Sequence, residues 1–218
     1  ALGDARTVLN VGAGTGSYEP DGAIALEPSP TMASQRSTPN PLVRGVAGAL
    51  PFADEAFDAT LCVLTVHHWP DWCAGLQELR RVSRRQVIVT FDWPEHDAMW
   101  WVSEYLQEIA HGWVHQASPE EMADALGGAS IERVPLPWDC TDGMLITYWR
   151  RPERYLDPAV RASASGTALA DQHLVDAAVE RLRVDLATGA WHERHAELVD
   201  APTHDVGLRI VTYPPTPC

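Results

Sequence analysis

The segment 8-VLNVGAGTGSYEPDGAIALEP-28 holds the main clue to the architecture of this chain. A short apolar strand runs directly into Gly12, Gly14 and Gly16, and glycine there lets the backbone turn sharply and lets a ligand approach the main chain. Only ten residues, Pro20 and Gly22 among them, separate Gly16 from Glu27. That leaves no room for the helix of about three turns that ordinarily connects two parallel strands. The spacing is G-x-G-x-G. A dinucleotide fingerprint would need glycine where Ser17 stands, and no G-x-x-x-x-G-K-S/T phosphate loop is present. Glu27 closes the next strand, where a carboxylate can accept hydrogen bonds from both hydroxyls of a ribose. The same residues also read as a tight structural turn followed by a surface glutamate.

Outward from this segment, residues 7–11, 23–27, 57–64 and 86–91 read as buried strands. Between the last two, 70–85 reads as a helix with Asp71 in its N-cap region, burying Leu76, Leu79 and Val82 and leaving Glu78, Arg80, Arg81 and Arg84 to solvent. Such alternation predicts an α/β fold with a parallel sheet and right-handed crossovers. Residues 96–115 read as helical and aromatic, with Trp100, Trp101, Tyr105 and Trp113. Ser118 followed by Pro119, Glu120 and Glu121 marks a helix start, and Gly127-Gly128 its end. Residues 130–138 and 206–213 read as late strands, and the helical segment between them, notably 170–189, as a cap inserted into one domain. On this division 1–92 is a ligand-binding half, 93–138 carries substrate-side helices and a strand, 139–200 the cap, and 201–218 the final strand and tail.

The 218 residues, with 45% hydrophobic and 21% charged side chains, suit one soluble globular domain. A formal charge of −14 argues against nucleic-acid or anionic-membrane partners, which need clustered positive charge. All 16 basic residues are arginine, which reads as compositional bias. Cys62, Cys73, Cys140 and Cys218 form no C-x-x-C pair, as expected of thiols in a reducing cytoplasm. No apolar run approaches the ~20 residues of a membrane span. The sequence begins at Ala1, without methionine, six residues before the first predicted strand, and a segment upstream is expected.

Taken in order, VLNVGAGTG (8–16), ALEPSPTM (25–32), GVAGALPFADEAFDATLCVLTVHHWPD (45–71) and LQELRRV (76–82) resemble the class I S-adenosylmethionine-dependent methyltransferases. The branch most like it includes ubiquinone/menaquinone methyltransferases and many natural-product tailoring enzymes. The resemblance covers 7–92, and its most specific part is LPF-x-D-x-x-F-D at 50–58 followed by VHHWPD at 66–71. It implies a Rossmann-like, mostly parallel sheet whose last strand is antiparallel, with a helical cap between the last two strands. It also implies S-adenosylmethionine as cofactor and S-adenosylhomocysteine as product. Gly12, Gly14 and Gly16, with Ala13 and Thr15, would pass under the methionine part, and Asn10 would stand beside them. Glu27 would hold the ribose, Pro28 and Met32 would pack on the adenine, Ala47 and Gly48 would flank its edge, and Val63 and Leu64 would line the wall beside the sulfonium. The chain departs from the family pattern at Asn10 and Val46, where acids are usual. Arg84-Arg85-Gln86 replaces a Pro-Gly-Gly turn, and the first helix is reduced to a turn that would leave Tyr18 and Glu19 at the pocket rim.

Methyl transfer needs a base only when the acceptor must lose a proton. His67 and His68, just past a strand end, are the candidate bases, or else they close the pocket by hydrogen bonding. His111 and His115 in HGWVH lack the glutamate of an H-E-x-x-H site, His192 and His195 in WHERH are a similarly thin signal, and no metal is expected. Trp69, Trp72, Trp93, Trp100, Trp101, Trp138 and Trp149 would offer a surface for a flat apolar acceptor or pack the core. The arginines of 148-YWRRPERYLDP-158 would tie down the cap or meet an acceptor carboxylate. The expectation is cytoplasmic methylation of a small, aromatic or apolar metabolite by a monomer or homodimer. The alternatives are a cofactor-binding, non-methylating member (a regulatory or binding module, or a cyclase-like enzyme) and, more distantly, a nicotinamide oxidoreductase.

Overall fold

Among the described residues, short runs of alternating side chains build nine strands: β1 (Val8–Val11), β2 (Ile24–Leu26), β3 (Leu42–Val43), β4 (Phe57–Val63), β5 (Ser83–Phe91), β6 (Ser130–Arg133), β7 (Leu136–Pro137), β8 (Thr203–His204) and β9 (Leu208–Tyr213). The computed structural model describes residues 1–111 and 117–214; Trp113, His115 and Cys218 lie outside them. Seven strands form one sheet of order β3-β2-β1-β4-β5-β9-β6. β1, β2, β3, β4 and β5 pair in parallel, and β9 runs antiparallel to β6. This is the expected Rossmann-like arrangement. The described residues divide into two compact units, one of residues 1–92, 117–133 and 209–214, the other of 93–111 and 134–208.

In the first unit the pleat sorts residues by parity. Leu9, Val11, Cys62, Ile88 and Val211 join a large core with Leu76, Leu79 and Val82 of the helix Trp72–Val82 and with Met122, Ala123 and Leu126. Val8, Leu61 and Val87 point to the opposite face. Asp71 caps the helix Trp72–Val82 by accepting from Ala74 N–H at 2.8 Å. Ser118 and Glu121 form a reciprocal capping box on the helix Pro119–Ala125, and Gly127 and Gly128 follow at φ +89° and +98°. Both helix starts and the glycine stop stand where the sequence placed them.

Three local readings are corrected. The helix expected to run to residue 85 ends at Val82, and β5 starts at once. Ser83 Oγ donates to Leu79 O at 2.9 Å and Gln86 Nε2 to Ser83 O at 2.8 Å, so side chains satisfy the helix end without a turn. Glu78, Arg80 and Arg81 are engaged. Arg81 donates to Leu50 O (3.0 Å), Phe52 O (2.7 Å) and Asp54 (2.9 Å), while Glu78 accepts Leu50 N–H at 2.7 Å. Arg80 donates to Leu126 O at 2.8 Å and lies over the Tyr213 ring. Helical periodicity puts these residues on the polar face but cannot show that the 50–54 loop and the β9 end pack against it. The strand expected over 130–138 is two strands, because Pro135 has no N–H to continue the ladder.

The second unit is built on its aromatic residues. Trp101, Trp149 and Trp191 are fully buried, and Trp100 packs edge-on against Tyr105, Tyr155 and Trp191 with ring centroids 5.1–5.9 Å apart. Its helical segments include Trp93–Ala98, a π-helical turn Trp101–Tyr105, Gln107–Ala110 and the long helix Gln172–Thr188, which Gly189 ends at φ +83°. No helix among the described residues is long and apolar enough to cross a membrane.

Candidate functional site

The register Val11↔Leu26 and Asn10↔Leu61 in parallel strands brings the carboxyl ends of β1, β2 and β4 to one edge of the sheet. Ligands bind at that edge in open α/β sheets. The glycine loop leaves β1 there. Gly12, Gly14 and Gly16 take φ of +72°, +55° and +94°, the left-handed region that favours glycine. A Cβ on Gly12 would stand 1.9 Å from Thr65 Oγ1, and one on Gly16 would stand 2.3 Å from Thr38 Cγ2, whereas nothing lies within 4 Å of the corresponding point on Gly14. The loop is therefore packed from below at its two outer glycines and open at the middle one.

Glu27, at the end of β2, is buried and aimed at this loop. Its Oε2 accepts Gly14 N–H at 2.8 Å and its Oε1 accepts Ser29 N–H at 2.7 Å. Two backbone amides hold the carboxylate in one rotamer, and each oxygen keeps a lone pair for a hydroxyl donor. Ala13 is buried, with its N–H on Leu26 O; Thr15 Oγ1 meets Ser17 Oγ at 3.2 Å. Pro28 O receives Arg44, and Met32 on the short helix Pro30–Ser34 is 45% exposed. Ala47 is buried and Gly48 exposed in a tight turn closed by Ala49 N–H on Val46 O. Val63 ends β4, and Leu64 follows at φ +51°, a strained value for a branched side chain. Tyr18, Met32 and Val46 are three of the large apolar residues exposed in this unit.

His67 and His68 lie on a 3-10 turn after β4, their ring centroids 4.0 Å apart. His68 is exposed by area yet crowded by protein. Desolvation lowers its pKa below the ordinary imidazole value, while the Glu27 charge acts the other way. Its midpoint in a proton NMR titration is expected below that of an ordinary imidazole, and Glu27→Gln is expected to move it lower still. An unmoved or raised midpoint would place His68 away from the carboxylate.

Glu19, expected at the rim, has its side chain fully buried in an ion pair with Arg36. Asn10, also buried, donates to Glu19 Oε1 at 3.3 Å. Ser29 and Thr65 lie inside the quoted stretches without an assigned role and Arg36 lies outside them, and their place in the site is visible only in three dimensions. Among the described residues no group of three or more His, Cys, Asp or Glu is placed to hold a metal. His195 is buried within 2.9 Å of Glu104 Oε1, and His192 is exposed. Trp69, Trp100, Trp101 and Trp149 are core residues, so none offers an open acceptor surface. Arg150 and Arg151 donate to the carbonyls of Ala201 and Cys140, which makes 148–158 a packing corner.

The carboxylate, the open middle glycine and the apolar neighbours fit the ribose, methionine and adenine parts of S-adenosylmethionine. Comparisons agree. A sequence profile described as a methyltransferase domain matches residues 9–91. A crystal structure of a putative methyltransferase from an antibiotic biosynthesis pathway of Anabaena variabilis superposes with TM-score 0.85 at 30% identity, covering 94% of this chain and 89% of that one. A demethylmenaquinone methyltransferase of Mycobacterium sp. is 36% identical over 107 residues, 44% of this chain and 46% of that protein. The matched region thus spans less than half the length of that curated relative. The 4+2 cyclase SpnF shares the fold, with TM-score 0.52 at 16% identity over 94% of this chain and 74% of that one.

Proposed function

Because this chain belongs to the class I S-adenosylmethionine-dependent methyltransferases, we propose that it binds S-adenosylmethionine at the glycine-loop edge and methylates a small, aromatic or apolar metabolite in the cytoplasm. The observation that carries the cofactor assignment is Glu27, buried and held by two backbone amides beside an open Gly14. When bound, the cofactor supplies an electrophilic methyl group on a sulfonium. The chain's own part is positioning, which for well-oriented reactants is worth about 7–11 kcal/mol. Glu27 orients the ribose, Met32 and Pro28 cover the adenine, Ala47 and Gly48 flank its edge, and Val63 and Leu64 keep water from the reacting atoms. Asn10, Ala13 and Thr15 complete the bed under the methionine part.

For an acceptor that must lose a proton, His68 is the base this reading favours, since its lowered pKa keeps the imidazole neutral at pH 7. Acceptor choice is assigned to residues outside 9–91, and a tailoring role is supported by the antibiotic biosynthesis pathway named for the Anabaena protein. Isothermal calorimetry tests the core of the proposal. S-adenosylhomocysteine and S-adenosylmethionine are expected to bind the folded chain, and no binding at millimolar ligand would sink it. A non-methylating, cofactor-binding member is the second reading, favoured by Asn10, whose amide is turned to Glu19. Radiolabelled methyl appearing in any product removes that alternative.

A further inference from the structure

Gly14 is gripped at both ends of its backbone. Its N–H is held by Glu27, and its carbonyl accepts from Arg36 Nη1 at 3.3 Å. The other arm of the same guanidinium, Nη2, meets Glu19 Oε2 at 2.6 Å, and the Arg36 and Glu19 side chains are 5% and 0% exposed. Glu19 is further held by Thr38 Oγ1 (3.0 Å), Asn40 Nδ2 (3.0 Å) and Asn10 Nδ2 (3.3 Å). Asn40 also ties Pro20 O (2.8 Å) and Gly22 N–H (2.9 Å), closing the short connection that stands where a helix would. Thr38 packs directly beneath Gly16.

We propose that Arg36 and Glu19 form a buried strut that replaces the missing helix and sets the Gly14 peptide for cofactor binding; both are positioning residues. The consequence for the cofactor rests on the function proposed above. An ordinary connecting helix would anchor the loop through its first turn. Here residues 17–22 form no helix, and the carbonyl of Gly14 depends on a side chain from a later segment. Arginine suits this task because its planar fork serves two acceptors at once, which a lysine ammonium does not reproduce. The amide at position 10 follows from the same arrangement, since a carboxylate there would face Glu19 across 3.3 Å. Glu19 stays ionised: burial pushes its pKa up, but the bonds from Arg36, Asn40, Asn10 and Thr38 together bring it below the ordinary glutamate value.

The test is Arg36→Lys, which keeps the charge beside Glu19 and gives up the second arm. Hydrogen exchange is expected to quicken at least fivefold in the peptide covering Gly12–Gly16 and to stay unchanged in the helix Trp72–Val82. The dissociation constant for S-adenosylhomocysteine is expected to rise about tenfold with the melting temperature nearly kept, a split that general destabilisation does not produce. If Arg36→Lys fails to fold, Glu19→Gln, which removes the charge and sets an NH2 where one carboxylate oxygen accepted, carries the same two readings. Unchanged loop exchange in a folded variant overturns the strut, whether or not the product binds. A wild-type chain that fails to bind S-adenosylhomocysteine sinks the cofactor assignment instead and leaves loop exchange to judge the strut.

Discussion

Gly12→Ala is expected to lower stability by about 3 kcal/mol or more, through two independent costs. A residue with a side chain loses about 1–2 kcal/mol in the left-handed region, and Gly12 sits at φ +72°. Its Cβ would also stand 1.9 Å from Thr65 Oγ1, and relieving such overpacking costs about 1–3 kcal/mol. Thr65 has little freedom to give way, being buried and accepting Trp69 Nε1–H at 3.3 Å. For a chain of this size the melting temperature should fall by about 6–12 °C. Gly14→Ala is the control. It meets nothing within 4 Å, so only the backbone cost of about 1–2 kcal/mol remains. Its methyl group would enter the space assigned to the cofactor, so affinity for S-adenosylhomocysteine should drop at least tenfold. Thermal melts and calorimetry on both variants check the pair, and equal destabilisation would contradict the packing described for Gly12.

Glu27→Ala is expected to weaken S-adenosylhomocysteine binding about a hundredfold. Hydrogen bonds to charged groups contribute about 1.5–3 kcal/mol each, and the carboxylate is assigned two ribose hydroxyls. The substitution also frees the N–H groups of Gly14 and Ser29, so the loop loses its lower anchor along with the ligand contact. About 3 kcal/mol corresponds to roughly two decades in affinity. Glu27→Gln retains one acceptor oxygen but sets an NH2 against one of the two backbone donors, and an intermediate loss is expected. A folded Glu27→Ala chain that binds within threefold of wild type would refute the ribose assignment.

Glu27 and Gly12 are legible in the sequence to different degrees. Glycines spaced by two after an apolar strand and an acid at the next strand end are local patterns with local causes, and the sheet, its edge and the candidate ligands were legible from them. The two capping residues, Asp71 and Ser118, were legible for the same reason, since a cap bonds within three residues of itself. The LPF-x-D-x-x-F-D motif is visible in the sequence, but its physical cause is not. The structure supplies it: Arg81 and Glu78 fasten Leu50, Phe52 and Asp54, while Asp58 accepts the N–H groups of Arg6 and Thr7 at the start of β1.

Sequence by itself therefore determined the parallel sheet, the glycine loop, the acid at the end of β2 and the starts of two helices, because each depends on residues a few positions apart. Only the tertiary structure decided the roles of Glu19, Arg36, Thr38 and Thr65, and the burial of Trp101 and Trp149. Those roles rest on contacts between residues distant in sequence, such as Glu19 with Arg36, 17 positions apart. No periodicity records which buried charge will find which partner, since burial of an ion is tolerated only when the rest of the fold brings its counter-charge and hydrogen-bond donors to the same place.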